Sequence, residues 1–355
     1  MTAPHRPTPT GGLGPCTVVA SCARGFGLES AGLSVGTGPG RAGDLVAARV
    51  TSVGSYPEVE TPSGRDRRLR PGDVLVGVLG VRESTTSLYG GVPAAGVPLE
   101  PGDPLDLLAV GGVLGHATGW PSAMGEPTRL AVLGRVCRAG QPGEPLSLRP
   151  RSAHDVPRVP LILVGGTAAE VGKTTLSTKL VRHLADARGL RVGVCKLTGT
   201  GRMRDLLSLL DAGAVAGADF VDAGVATTYG LGADGASGVA RWLVGRLAGE
   251  GVDVVVAELG GDLSGGNVSG ILADPLLAGI TRHLVVVGSD AMAAFGARCW
   301  LDRHGLTYRT SFAVPRRNPR ANEQRFTSLL GVAPVDPDRA ESLDRLVDAM
   351  ELDQR

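Results

Sequence analysis

The stretch from Leu161 to Leu180, LILVGGTAAEVGKTTLSTKL, constrains this chain more than any other. Its apolar start, Leu161 to Val164, suits a strand buried on both faces. Gly165 and Gly166 break that run, and from Lys173 onward the apolar residues return with helical spacing. A strand passing through a glycine turn into a helix is a place where backbone can wrap an anion. The glycines let N–H groups approach, and the helix N-terminus adds a field that favours negative charge. The cradle reads as Gly166, Thr167, Glu170, Val171 and Gly172, with Lys173, Thr174 and Thr175 opening the helix. In it Lys173 reaches the β and γ phosphates of a nucleotide, the Thr174 hydroxyl ligates Mg²⁺, and Thr175 bonds the α phosphate. Five residues separate Gly166 from Gly172, one more than the usual spacing.

Composition sharpens this reading. Of 36 basic residues only Lys173, Lys179 and Lys196 are lysines. A chain that otherwise writes arginine keeps lysine where a compact ammonium fits and a planar guanidinium does not. Lys196 ends the apolar run RVGVCK, at the carboxyl end of a strand, where open α/β sheets bind ligands. It can neutralise phosphate oxygens or a transferred group, and a Gly- and Thr-rich loop follows it. Thr198, Thr200, Gly201 and Arg202 of that loop, with Asp219 and Asp222 of DFVD, are candidates for the substrate side. Lys179 falls within the first helix, on a solvated face. The run Val252 to Ala257 delivers Glu258 at its tip, a hard oxygen ligand suited to a hard cation.

Around these motifs strands and helices alternate from Val159 onward. The strands are Leu161–Gly165, Arg191–Lys196, Val252–Glu258, His283–Gly288 and Tyr308–Val314. The helices are Lys173–Arg188, Arg204–Ala212, Ala236–Ala248, Ala291–His304, Pro319–Leu330 and a last one from Asp336 to about Leu352. Asp290 and Asn318 stand at N-cap positions. The pattern predicts an α/β fold with a parallel sheet covered by helices on both faces. Before it, short β runs at Thr17–Ser21, Asp44–Val53, Asp73–Gly80 and Leu130–Val136 are punctuated by Gly and Pro turns. They predict a small β-barrel or sandwich domain over 1–150, a linker near 148–160, and the α/β domain over 151–355.

Several classes are excluded. With 43% hydrophobic residues the chain can bury a core, and its longest apolar runs are strand-sized, too short to span a membrane. A net charge of +1 gives no reason to expect nucleic acid or a membrane surface as partner. Cys16, Cys22, Cys137, Cys195 and Cys299 form neither a disulfide framework nor a zinc spacing. The N-terminal MTAPHRPTPTGG has no apolar signal segment. The expectation is a cytoplasmic protein with a small-molecule substrate, and a homo-oligomer is left open.

The segment GTAAEVGKTT resembles the loop GTDTEVGKT of dethiobiotin synthetase, including the extra residue between glycines and the acid at Glu170. That family also places a lysine and a small-residue loop after its second strand, similar to Lys196 with Thr200 and Gly201. It ends a later strand in Glu followed by small residues, like Glu258 with Gly260 and Gly261. The resemblance covers about 160–330 and implies a P-loop NTPase-type sheet. It also implies Mg²⁺ held by Thr174, Glu258 and an aspartate after Lys196, for which Asp205 fits best. Ala168 and Ala169 stand where the synthetase carries polar residues. KLTGTGR and DFVDAGVATTYG look similar to a two-domain P-loop family that includes D-glutamate N-acetyltransferases.

The function expected is therefore an ATP- and Mg²⁺-dependent ligase or synthetase that activates a small molecule by γ-phosphoryl transfer, with Lys173 and Lys196 stabilising the charge. A small-molecule kinase and an N-acyltransferase on the same scaffold are the alternatives among enzymes. A GTP-dependent metallochaperone or switch is a further class, but no lysine here is followed two places later by the Asp that reads guanine.

Overall fold

Side chains of a strand alternate between faces, and that alternation organises the larger half of the chain. Six parallel strands lie in the order Ala216–Asp219, Val192–Lys196, Val254–Glu258, Leu161–Gly166, Thr281–Val287, Thr310–Ala313. Leu161, Leu163, Val255, Ala257, Leu284 and Val286 enter one core, which holds Val239 and Leu243 of helix Gly232–Ala248 and Ala294 and Leu301 of helix Ala291–Arg303. Ile162, Val164, Val254, Val256, Val285 and Val287 enter the other. There they meet Leu176 and Leu180 of helix Lys173–Arg182, Leu206 and Leu209 of helix Met203–Leu210, and Leu346 and Met350 of helix Ala340–Met350. Both faces are covered, which is why these strands read as unbroken apolar runs. The register aligns Val164, Glu258, Lys196 and Asp219 in one row at the carboxyl ends.

This computed structural model describes residues 13, 17–28, 33–138, 144–314 and 319–352. The expectations placed on MTAPHRPTPTGG, Cys16 and the Asn318 cap lie outside the described residues. The chain divides into two compact units, Met1–Arg149 and Pro150–Arg355. In the first unit five strands pair in a closed circuit. Leu45–Ser52 pairs with Val74–Leu79, then follow Val113–Gly119, Pro104–Leu107 and Arg129–Arg138, which returns to Leu45–Ser52. Among the described residues no helix is long and apolar enough to cross a membrane.

Local chemistry explains the departures from expectation. Ala216–Asp219 is a strand that its small residues, AGAD, gave no reason to expect. The last helix begins at Ala340, because Asp336 first makes a turn: its Oδ1 accepts from the Asp338 N–H, while its own N–H donates to Ser342 Oγ. The first helix ends as an α-helix at Arg182 and widens to a π turn over His183–Ala187. Asp290 does cap its helix, accepting from the Ala293 N–H at 2.8 Å. Asp274 with Pro275 starts the short helix Pro275–Ile280 in the same way.

His283 links this core to pH. It is 4% exposed, its Nε2 lies 2.9 Å from Ser311 Oγ, and its Nδ1 has no partner. Burial, and secondarily the charge of Arg309, push its pKa down to about 4. The unfolded chain takes up this proton near pH 6.5 and the folded chain only near 4. Its contribution is therefore complete above pH 6.5 and is lost as pH falls towards 4, by about 3 kcal/mol at most. Urea midpoints measured across that window should fall less steeply for His283→Gln than for the parent. Parallel profiles would show that His283 takes no part.

Candidate functional site

The strand Leu161–Gly166 ends where a side chain has no room. A Cβ on Gly166 would lie 2.8 Å from Val171 Cγ2 and 3.0 Å from Lys173 Cδ, so substitution would displace the lysine. The chain then turns through Glu170 at φ +59° and Gly172 at φ +108° into the helix. Thr167 ties the loop to the neighbouring strand end, its N–H donating to Val287 O at 3.0 Å and its Oγ1 accepting from Ser289 N–H at 2.9 Å. No side chain caps the first turn at Gly172, which leaves its leading N–H groups without a side-chain acceptor. Lys173 is buried, and its Nζ donates to Ala168 O at 2.8 Å and Gly261 O at 2.6 Å. Burial, ahead of the opposing charge of Glu258, lowers its pKa to about 8.

Thr174 Oγ1 donates to Glu258 Oε1 at 3.2 Å. The other carboxylate oxygen of Glu258 is buried and meets no donor, in a residue only 3% exposed. Burial raises this carboxyl above its ordinary range against the pull of Lys196. Leaving such an oxygen unmet costs on the order of 1–3 kcal/mol, and a hard cation is the partner its chemistry suits. Mg²⁺ takes one or two protein carboxylates and completes its shell with water and phosphate oxygens. Glu258 with the Thr174 hydroxyl fits that sparse donor set. Among the described residues no group of three or more His, Cys, Asp or Glu could hold a metal alone.

Lys196 stands beside Glu258 in the row, with Asp219 on its other flank. Its Nζ makes a close ion pair with Asp205 Oδ2, from the first turn of helix Met203–Leu210. Burial works against the ammonium, but Asp205 and Glu258 outweigh it and hold its pKa up. Burial likewise works against the Asp205 carboxylate, and Lys196 overcomes it, holding that carboxyl below its ordinary value. Asp205 thus meets Lys196 through Oδ2, and the charges of Arg202 and Arg204 act on the same carboxylate.

Three loops meet below this row. Thr198 Oγ1 donates to Gly260 O at 3.0 Å, and a Cβ on Gly260 would lie 2.3 Å from Thr198 O. Gly199 N–H donates to the Thr228 hydroxyl at 2.9 Å, Thr200 bridges Thr227, and Gly201 N–H donates to Ala226 O at 2.9 Å. The Thr228 carbonyl accepts from Asn267 Nδ2 at 2.7 Å, with Asn267 itself at φ +66°. Arg202 occupies the N-cap position of the next helix. Asp219 Oδ1 accepts from the Val221 N–H, and Asp222 Oδ2 from the Asp219 N–H, so both carboxylates shape the turn after their strand. The structure therefore gathers Lys173, Thr174, Lys196, Asp205 and Glu258, while Asp222 belongs to a turn. The reading of the sequence missed Asn267 and the carbonyl of Gly261. Only the glycines before Asn267 hinted at a left-handed turn there.

Glu258→Gln should weaken Mg²⁺ dependence more than nucleotide binding, because the amide keeps one oxygen but loses the charge. A metal titration of the variant that overlays the parent's would remove Glu258 from the site.

No family model matches the chain, and no curated protein matches it. Among solved structures it is similar to a DUF1611 family protein from Anabaena variabilis, at 16% identity over 59% of this chain and 64% of that one, TM-score 0.39. The signal recognition particle receptor FtsY from Elizabethkingia anophelis is 19% identical over 56% of this chain and 66% of that one, TM-score 0.37. A ParA family ATPase from Chlorobium tepidum is 10% identical over 54% and 91%, TM-score 0.32. The chain spans just under two thirds of the first two. Likenesses this low carry no argument about its activity.

Proposed function

We propose that the chain is an ATP- and Mg²⁺-dependent enzyme of the ligase or synthetase type, which activates a small molecule by γ-phosphoryl transfer. The observation that carries this reading is the unmet, buried oxygen of Glu258 beside the Thr174 hydroxyl, at the mouth of a glycine loop whose lysine is buried. In it Lys173 binds the β and γ phosphates, Thr175 the α phosphate, and the loop N–H groups the remaining oxygens. Thr174 and Glu258 hold Mg²⁺, with Asp205 as a further ligand. When bound, the cation neutralises phosphate oxygens and fixes their orientation. Lys196 steadies the charge that develops on the transferring group. The likeness of GTAAEVGKTT to the dethiobiotin synthetase loop supports the synthetase choice. The closed strand pairing of the first unit supports a small barrel there.

The deciding experiment follows nucleotide and phosphate with a panel of amines and carboxylates. Synthetase chemistry releases ADP and free phosphate only when both substrates are present. Phosphate retained on the product would mean a kinase. Turnover with an acyl-coenzyme A donor and no nucleotide consumption would mean acyl transfer, and a preference for GTP with no small product would mean a switch. Each of these three results overturns the reading.

A further inference from the structure

Helix Ala291–Arg303 carries two apolar faces. Ala291, Ala294, Ala297 and Leu301 enter the core, and Arg298 ties the helix to its neighbour Pro319–Leu330 by donating to Leu330 O at 2.8 Å. On the opposite face Met292, Gly296, Cys299 and Arg303 follow one another at the helical spacing i, i+4, i+7 and i+11, with Phe295 alongside. Met292 is 65% and Phe295 39% exposed, and Gly296, Cys299 and Arg303 are exposed as well. Eight large apolar residues are exposed among the described residues, and four of them lie here. They are Met292 and Phe295 on this helix, with Leu329 and Val332 at the end of the helix packed beside it. Clustering of that kind marks a contact surface.

Gly296 is the low point of this face. Glycine inside a helix destabilises it relative to alanine, and here the fold gains nothing in return, because a Cβ on Gly296 would meet no atom within 4 Å. What a missing side chain at such a place permits is the close approach of another helix. The charges at the two ends of the face say which helix. Asp290 stands six positions before Gly296 and Arg303 seven after it. Asp290 accepts from the Ala293 N–H, and neither residue has an ion-pair partner among the described residues. An antiparallel copy of the same helix, crossing at Gly296, sets Asp290 of each chain near Arg303 of the other. Asp302 lies at the border, beyond Phe295. We propose that this face is the contact between two copies of the chain, whose helices cross antiparallel at Gly296 about a two-fold axis. Met292 of each copy then packs on the Cys299 half of the other helix. The contact is independent of the reaction proposed above.

Sedimentation equilibrium of the full chain should show dimers, and monomers at every loading would overturn the proposal. Gly296→Lys puts a good helix former at an exposed position, so its thermal midpoint should equal or exceed the parent's. Dimerisation should nevertheless fall about tenfold or more, the scale of a residue at the centre of an interface. Should Gly296→Lys fail to fold, Met292→Lys, at the most exposed large apolar side chain, carries the same expectation for the dimer. Arg303→Glu should weaken the dimer a few-fold, since it sets carboxylates together at each end. Among the described cysteines only Cys299 is exposed, three positions from the crossing. A short bis-maleimide should therefore join two copies of the parent and none of Cys299→Ser. A dimer that withstands Gly296→Lys and Met292→Lys, or that is not joined through Cys299, uses another face and overturns the proposal.

Discussion

Lys173→Ala is expected to abolish nucleotide-dependent turnover, by roughly 10³-fold or more on the scale of phosphate-clamping groups. The fold should survive, because the side chain's polar end meets two loop carbonyls, Ala168 O and Gly261 O, and no core residue. Lys173→Arg should fail almost as completely. The pocket holds a single nitrogen between two oxygens 2.8 and 2.6 Å away, and the guanidinium fork is wider and needs several acceptors in its plane. The same burial predicts a pH dependence. With a pKa of about 8 in the free site, Lys173 is an ammonium below that pH and loses its proton above it. The charged form binds phosphate, so nucleotide affinity should be full below pH 8 and decline above it. Lys173→Ala should lack this decline. Nucleotide titrations across pH, with circular dichroism to confirm folding, measure each statement. An arginine variant of full activity would end the phosphate assignment.

The glycine loop before Lys173 was legible because its signal is local. An apolar strand, two glycines and Gly-Lys-Thr-Thr lie within one continuous segment, and the scarcity of lysine singled out Lys173 and Lys196. The parallel sheet was legible for a similar reason, since strands buried on both faces carry unbroken apolar runs. Other features depend on residues distant in the sequence. The pairing of Lys196 with Asp205 needs the helix Met203–Leu210 to fold back over its own strand. The clasp of Gly199, Thr228 and Asn267 joins three separate loops through backbone groups that have no sequence signature. Short strands failed for a different reason. Ala216–Asp219 has little side chain to bury and exists because the neighbouring strand Val192–Lys196 offers it a ladder.

The second large effect concerns Lys196 and separates a role in the transition state from one in holding the site together. Lys196→Ala should lose roughly 10²-fold in kcat while nucleotide affinity changes only a few-fold. A group that serves the transferring phosphoryl is worth most when charge moves onto it. The substitution has a second consequence that must be removed from the comparison. Lys196 sits among Asp205, Asp219 and Glu258, and each of these carboxylates acts to hold its proton on. Without the ammonium, Glu258 and Asp219 of the buried row and Asp205 of the neighbouring helix are left as three carboxylates close together, which lowers stability. Lys196→Ala combined with Asp205→Asn relieves that repulsion. The double variant should regain thermal stability relative to Lys196→Ala alone, yet it should stay as slow. Stability and turnover recovering together would make Lys196 a structural counter-ion. A fall in nucleotide affinity as large as the fall in kcat would place it on the ground-state phosphates instead. Only slow turnover with stability restored and nucleotide still bound leaves the lysine acting on the group in transfer.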